Sequence, residues 1–387
     1  MSQLCNVCGS CLKPAIYESP DNLSITTMNT LIDGKTSVYF CHNCGHLQTN
    51  ELPDLADYYA SEYEINLNSE DDDQLYKVID GKTIYRADHQ AAVLQSKVDL
   101  FPGCRVLDYG CAKAPTLRKV VATQPDIEPF LFDVTDKYVS FWNSYPKEVK
   151  YSVFQPDQSW KGSMDIVLSF YALEHVADLT EAINNVKFLL KPGGTFYFIV
   201  PNVYDNIADF IVADHINHFS KSSLTYFLSK EGFHDIVVDD KAHDAAFVVT
   251  AKLKSKSELL PVESNKQEII SCYNSCLEMA DYWQEAINRI HEYEKNLSST
   301  GLIAIYGAGF YGNLIASSLN KFNNVICFID QNKFLQGTCI NNRPVLSPEE
   351  MNTEVSSVFV GLNPRIAQET IDSIECWKNR HLNFFFL

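Results

Sequence analysis

Four cysteines stand in two identical short spacings, Cys5-Asn6-Val7-Cys8 and Cys41-His42-Asn43-Cys44, each followed at once by glycine. Two thiolates on one tight turn can share a metal, and two such turns close a tetrahedral shell of four sulfurs with no open position. The glycines suit knuckle turns that need positive φ. The expected ion is zinc, and a closed shell makes it structural. Cys11, His42 and His46 are spare donors. The other seven cysteines are scattered and read as small core residues, because nothing in the chain suggests a disulfide-forming compartment.

Two further stretches have the spacing of nucleotide-binding turns. The first is Val106-Leu107-Asp108-Tyr109-Gly110-Cys111-Ala112-Lys113-Ala114; the second is Ile305-Tyr306-Gly307-Ala308-Gly309-Phe310-Tyr311-Gly312. Both put small residues where an apolar strand turns into a helix, so backbone N–H groups can approach a bound cofactor. Asp133 follows the first turn at the end of the next apolar run, where a carboxylate can accept ribose hydroxyls. By motif alone the second turn, with Asp330 after it, reads as NAD binding. Candidate proton-transfer groups are Glu174-His175 and the run Val212-Ala213-Asp214-His215-Ile216-Asn217-His218.

The elements that must hold these residues follow from hydrophobic periodicity. A helix is expected over 84–100. Arg105–Asp108, Phe130–Asp133, Asp165–Phe170 and Gly194–Pro201 read as strands, alternating with helices Thr116–Ala122, Leu179–Leu190 and Ser222–Glu231. Such alternation implies a parallel sheet with right-handed crossovers. Apolar positions at helical spacing over 265–297 predict a long linking helix or helix pair. A second alternation follows: strands Leu302–Tyr306, Val325–Ile329, Ser357–Gly361 and Asn383–Leu387, with helices Phe310–Leu319 and Ile366–Trp377. The expected fold class is α/β in three parts: a zinc-binding module (1–65), a Rossmann-like unit (66–255), and a helical linker with a second Rossmann-like unit (256–387).

The net charge of −18 argues against nucleic acid as a partner, since phosphate binding draws on basic residues. No apolar run reaches the roughly 18 residues a membrane span needs. The N-terminal residues lack a signal-peptide pattern, so a soluble, cytoplasmic protein is expected. Oligomeric state stays open, with a monomer plausible.

The order Asp108–Gly110, Asp133, Glu174-His175 and Lys191-Pro192-Gly193-Gly194 is similar to that of class I S-adenosylmethionine (SAM) methyltransferases. With the cysteine module in front and the second glycine turn behind, the whole chain resembles the three-domain deoxysugar C-methyltransferases. That resemblance implies structural zinc on Cys5, Cys8, Cys41 and Cys44. It implies SAM against Asp108, Gly110, Ala112, Asp133 and Glu174, and a nucleotide-linked 4-keto sugar, with dTDP as the expected nucleotide, as substrate. It also implies methylation of the carbon beside the ketone. His215 matches the family's base and His175 a second histidine near the reacting centre. Asp214 stands where the family has Glu, as a substrate or base-orienting contact, and Val212 replaces a tyrosine. Tyr59, Tyr63, Tyr171 and His218 are the expected substrate contacts. The resemblance implies a supporting, non-redox role for the second glycine turn. O-methylation of a related sugar would use the same base. An NAD-dependent nucleotide-sugar enzyme built on Gly307–Gly312, a zinc-ribbon RNA methyltransferase and a non-catalytic SAM fold complete the alternatives.

Overall fold

The computed structural model describes residues 3–20, 22–51, 73–79, 82–143, 145–254, 264–297 and 301–387. Tyr59 and Tyr63 lie outside the described residues.

The cysteine pairs sit on two matching knuckles, in which Gly9 N–H bonds the Cys5 carbonyl and Gly45 N–H the Cys41 carbonyl, both at 2.8 Å. Both glycines have φ near +75°, which explains the residue type. Around them lies a four-stranded sheet of β1 (Tyr17–Glu18), β4 (Ser37–Phe40), β5 (Leu47–Thr49) and β13 (Asn217–His218). β13 comes from far along the chain, with Asn217 opposite Gln48 and His218 opposite Leu47. A hairpin of β2 (Leu23–Ile25) and β3 (Leu31–Asp33) lies beside this sheet's segment, touching Val212 through Ile25. A second hairpin, β6 (Leu75–Ile79) and β7 (Lys82–Tyr85), leads into α1 (Arg86–Lys97).

The central sheet runs β10 (Lys150–Val153), β9 (Glu128–Asp133), β8 (Arg105–Tyr109), β11 (Met164–Phe170), β12 (Leu190–Pro201), β15 (Ala246–Leu253), β14 (Phe233–Asp239). The first five are mutually parallel, and β15 is antiparallel to both of its neighbours. Helices α2 (Pro115–Thr123), α3 (Val139–Trp142), α4 (Leu179–Leu189) and α5 (Lys221–Lys230) complete the unit. The strand–helix alternation matches the sequence expectation; β10, β14 and β15 were not foreseen. Lys191–Gly194 lie within β12, whose pairing with β11 jumps from Met164–Leu190 to Ile166–Thr195. The extra residues there form an irregularity that Gly193, at φ +80°, accommodates.

The predicted linker is one continuous helix, α6 (Lys266–Lys295). It buries Cys276, Met279, Trp283, Ala286 and Ile290 in a core shared by the cysteine module and the C-terminal unit. That unit has a six-stranded sheet, β18 (Cys339–Ile340), β19 (Arg343–Leu346), β17 (Val325–Ile329), β16 (Leu302–Tyr306), β20 (Val355–Val360), β21 (Asn383–Phe386). Its helices are α7 (Phe310–Ser318) and α8 (Pro364–Asp372). The helix expected over Ile366–Trp377 breaks after Asp372, and a separate turn at Glu375–Trp377 buries Trp377. Among the described residues no helix is long and apolar enough to cross a membrane.

Candidate active site

At the carboxyl ends of β8, β9 and β11 opens a cleft of about 770 Å³, walled by Asp108, Gly110, Ala112, Asp133, Tyr171 and His175, among others. Parallel sheets present ligand sites at this edge. Gly110 has φ +71°, and a β-carbon there would meet the Ala172 side chain at 2.9 Å. Ala112 and Ala114 also adopt positive φ, at 46° and 50°, at a cost of roughly 1–2 kcal/mol each. Tertiary contacts hold them: Trp142 Nε1–H donates to the Ala112 carbonyl and Tyr145 O–H to the Ala114 carbonyl, both at 2.8 Å. The two alanines therefore do the work of the missing glycines.

Asp133 accepts the Ala112 N–H at 2.7 Å and the Thr135 N–H at 3.2 Å, which fixes it at the cleft edge. Asp108 is 1% exposed, and its Oδ1 has no partner among the described residues. Burial, then the nearby Asp133 charge, push its carboxyl up to about 7. A buried carboxylate lacking a donor fits a site that awaits a cation or N–H group. Glu174 is likewise 1% exposed with both oxygens unpartnered, and burial raises it to about 8. It lies near His175 and His215. Tyr171 lines the cleft at φ +52°, under the Arg86 guanidinium at 5.0 Å.

Beside the cleft lies a compact group of histidines and acids. His175 and His215 stack edge to face with ring centres 4.7 Å apart. His175 Nδ1–H donates to the Asp214 carbonyl at 2.8 Å. His215 Nδ1–H donates to Asp209 Oδ1, and His218 Nδ1–H donates to Asp209 Oδ2 at 2.8 Å. Burial alone would lower the His215 pKa, but the Asp209 carboxylate overrides it and raises the imidazole to about 9. Burial also pushes Asp209 upward, yet the two imidazoles hold its carboxyl well below the usual range. His175 is lowered to about 4 by burial and by its His215 neighbour.

Two sequence expectations need correcting. Asp214 does not orient His215; its carboxylate accepts the Thr27 N–H at 2.7 Å and the Thr27 O–H at 2.5 Å. It ties the β2–β3 segment to the histidine loop, and Asp209 takes the orienting place. His218 is not a substrate contact: both ring nitrogens are engaged, Nδ1 by Asp209 and Nε2 by the Thr49 hydroxyl at 2.8 Å. Asp209 escaped the sequence reading, although a lone acid inside Ile207-Ala208-Asp209-Phe210-Ile211 is a usable signal. An acid among buried apolar neighbours needs a partner.

The four cysteine sulfurs lie within 4.8 Å of one another. Cys5–Cys44 and Cys8–Cys41 are separated by 3.7 and 3.4 Å. A tetrahedron of Zn–S bonds near 2.3 Å sets sulfurs about 3.8 Å apart, so the donors fit zinc.

The second glycine turn differs from the first. A β-carbon on Gly307 would lie 2.3 Å from the Gly361 carbonyl oxygen, and one on Gly312 would lie 1.9 Å from that of Gly307. These glycines are required by close backbone packing. At the start of α8, Asn363 donates to the Asp205 carbonyl at 2.8 Å, and Arg365 pairs with the Asp205 carboxylate.

Residues 83–238 match the family described as Methyltransferase domain. C-methyltransferase NovU of Streptomyces niveus is 25% identical over 230 residues, covering 55% of this chain and 54% of that protein. The chain thus spans about half the length of that relative. Among solved structures, the CurJ carbon methyltransferase aligns at 16% identity, covering 43% of this chain and 54% of its own, with a TM-score of 0.36. A SAM-dependent methyltransferase from Archaeoglobus fulgidus aligns at 17% identity, with coverages of 43% and 94% and a TM-score of 0.36.

Proposed function

We propose that the chain is a zinc-containing, SAM-dependent methyltransferase that methylates a nucleotide-linked keto-deoxysugar at the carbon beside its ketone. The observation that carries the reading is the juxtaposition of the Asp108–Gly110 cleft with a carboxylate-supported imidazole, His215. The likeness to a C-methyltransferase over 230 residues and the cysteine geometry support it.

Bound SAM would supply an electrophilic methyl group. Asp108, Gly110 and Ala112 would hold it, with Asp133 placed for hydroxyl groups. The chain's own task is the proton. A ketone acidifies its neighbouring C–H, and a base must take that proton while the nucleophilic carbon is held in line with the methyl. Asp209 fixes His215 through Nδ1, leaving Nε2 to accept the proton, and its negative charge offsets the imidazolium that results. The raised pKa makes His215 a stronger base than a free imidazole, suited to a weak carbon acid. At pH 7 only about 1 in 100 molecules carries it neutral, so kcat/KM should climb with pH toward about 9. Zinc on the four thiolates would be structural, holding β5 against β13 and so the base loop. O-methylation would employ His215 on a hydroxyl proton instead.

Calorimetry with SAM and S-adenosylhomocysteine tests the cofactor, and mass spectrometry of a reaction with a dTDP-4-keto-6-deoxysugar tests the substrate. His215→Asn should abolish turnover with SAM affinity retained. Binding of NAD and not of SAM would overturn the reading.

A further inference from the structure

We propose that the second glycine turn serves as a clamp for the base loop: Tyr311, inside Gly307–Gly312, positions Asp209 and through it His215. This rests on the role assigned to His215 above. The Tyr311 hydroxyl donates to Asn206 Oδ1 at 2.8 Å and accepts the Ala208 N–H at 3.0 Å. It thereby straddles the start of the short 3₁₀ turn Ile207–Ile211 that carries Asp209. One residue between these contacts is held from another side, because Trp283 Nε1–H donates to the Ile207 carbonyl at 2.8 Å. Asp209 N–H then bonds the Asn206 carbonyl at 3.1 Å, so the clamped residue and the carboxylate share one hydrogen-bonded turn. Asn206 makes no side-chain cap of its own to this turn; its oxygen is committed to Tyr311.

The glycines explain why the clamp can reach. With Gly312 against the Gly307 carbonyl, α7 starts hard against the end of β16, and the buried Tyr311 ring lies 6.2 Å from Trp283, nearly parallel to it. Buried tyrosine has two side-chain torsions and little freedom, which makes it a rigid strut. The pattern that in other folds brings a backbone to a pyrophosphate here brings a helix to a loop of its own chain. The charged and titratable groups facing His215 are Asp209, Glu174, Asp214, His175 and His218. Of these, Asp209 alone hydrogen-bonds it, so displacement of Asp209 lowers the proton affinity of His215.

The test uses the full chain with ¹⁵N-labelled histidine, titrated by NMR from pH 5 to 10, with His215 assigned through His215→Gln. Tyr311→Phe and Asn206→Ala should each move the His215 midpoint down by about half a pH unit or more. Turnover of a dTDP-4-keto-6-deoxysugar should fall about tenfold with SAM affinity within about twofold, and the acid limb of kcat/KM should move with the midpoint. The double variant should be no worse than Tyr311→Phe alone, since that change already removes the Asn206 contact together with the Ala208 one. An unmoved midpoint overturns the clamp. So does loss of SAM affinity in step with turnover, which marks general unfolding. Failure of the wild type to bind SAM would remove the methyltransferase reading, while the midpoints would still decide the clamp.

Discussion

Replacing Asp209 by asparagine keeps the shape of the side chain and removes its charge. In the wild type the carboxylate carries His215 from the ordinary 6.5 to about 9 against the pull of burial. At 1.36 kcal/mol per pH unit, that difference is worth roughly 3 kcal/mol in favour of the imidazolium. Because the folded value is raised, this stability is fully present below pH 6.5 and disappears as pH rises through 9. The depressed Asp209 carboxyl describes the same contact from its other end: stability present above its ordinary pKa, lost in acid, and not to be added again. Asp209→Asn should therefore bring the His215 midpoint well below 9, because burial is then opposed only by the more distant Glu174 and Asp214 charges. It should lower the urea midpoint strongly at pH 6 and less at pH 9.5. Histidine NMR titration and urea unfolding at the two pH values read both effects. A wild-type His215 titrating near 6.5, or a variant still near 9, would refute the reasoning.

Gly110→Ala forces an L-residue to φ +71° and against Ala172; at roughly 1–2 kcal/mol for the backbone alone, SAM affinity should drop about tenfold or more by calorimetry. Gly312→Ala should destabilise the C-terminal unit by more than about 4 kcal/mol, since its β-carbon would overlap the Gly307 carbonyl. Gly309→Ala, with open space around it, should leave the melting temperature nearly unchanged; equal effects would contradict the packing role of Gly307 and Gly312. Metal analysis should find about one zinc per chain. Its chelation should lower the melting temperature and weaken the β5–β13 pairing that carries His218 and Thr49, visible as lost amide protection. A metal-free chain of unchanged stability would refute the zinc shell.

Local patterns were the legible part. Cys5 and Cys8 must meet because two intervening residues allow little else, and Gly110 follows Asp108 on one strand–turn–helix unit whatever surrounds it. The regular alternation from Arg105 to Pro201 likewise announced its sheet, since each crossover buries its own apolar face. Where contacts join distant segments, reading along the chain misled. Asp214 adjoins His215 in sequence, yet its carboxylate reaches back to Thr27. Asp209, six residues upstream, bonds His215 because a 3₁₀ turn folds the loop back on itself. The complete Gly307–Gly312 pattern reads as a dinucleotide turn by spacing alone, whereas in the tertiary structure Gly307 and Gly312 are fixed by backbone packing and Tyr311 bonds Asn206 and Ala208.

The residue types and spacings by themselves determined the four-cysteine cluster, the first turn with its acid, and the presence of two α/β units. These depend on interactions within a few residues or within one strand–helix repeat. Only the tertiary structure decided which acid serves His215, that His218 is a buttress, and that Ala112 and Ala114 can replace glycines. Each of those depends on a partner tens of residues away or on the folding back of a loop, and on whether burial leaves a polar atom paired or alone. No spacing along the chain encodes that.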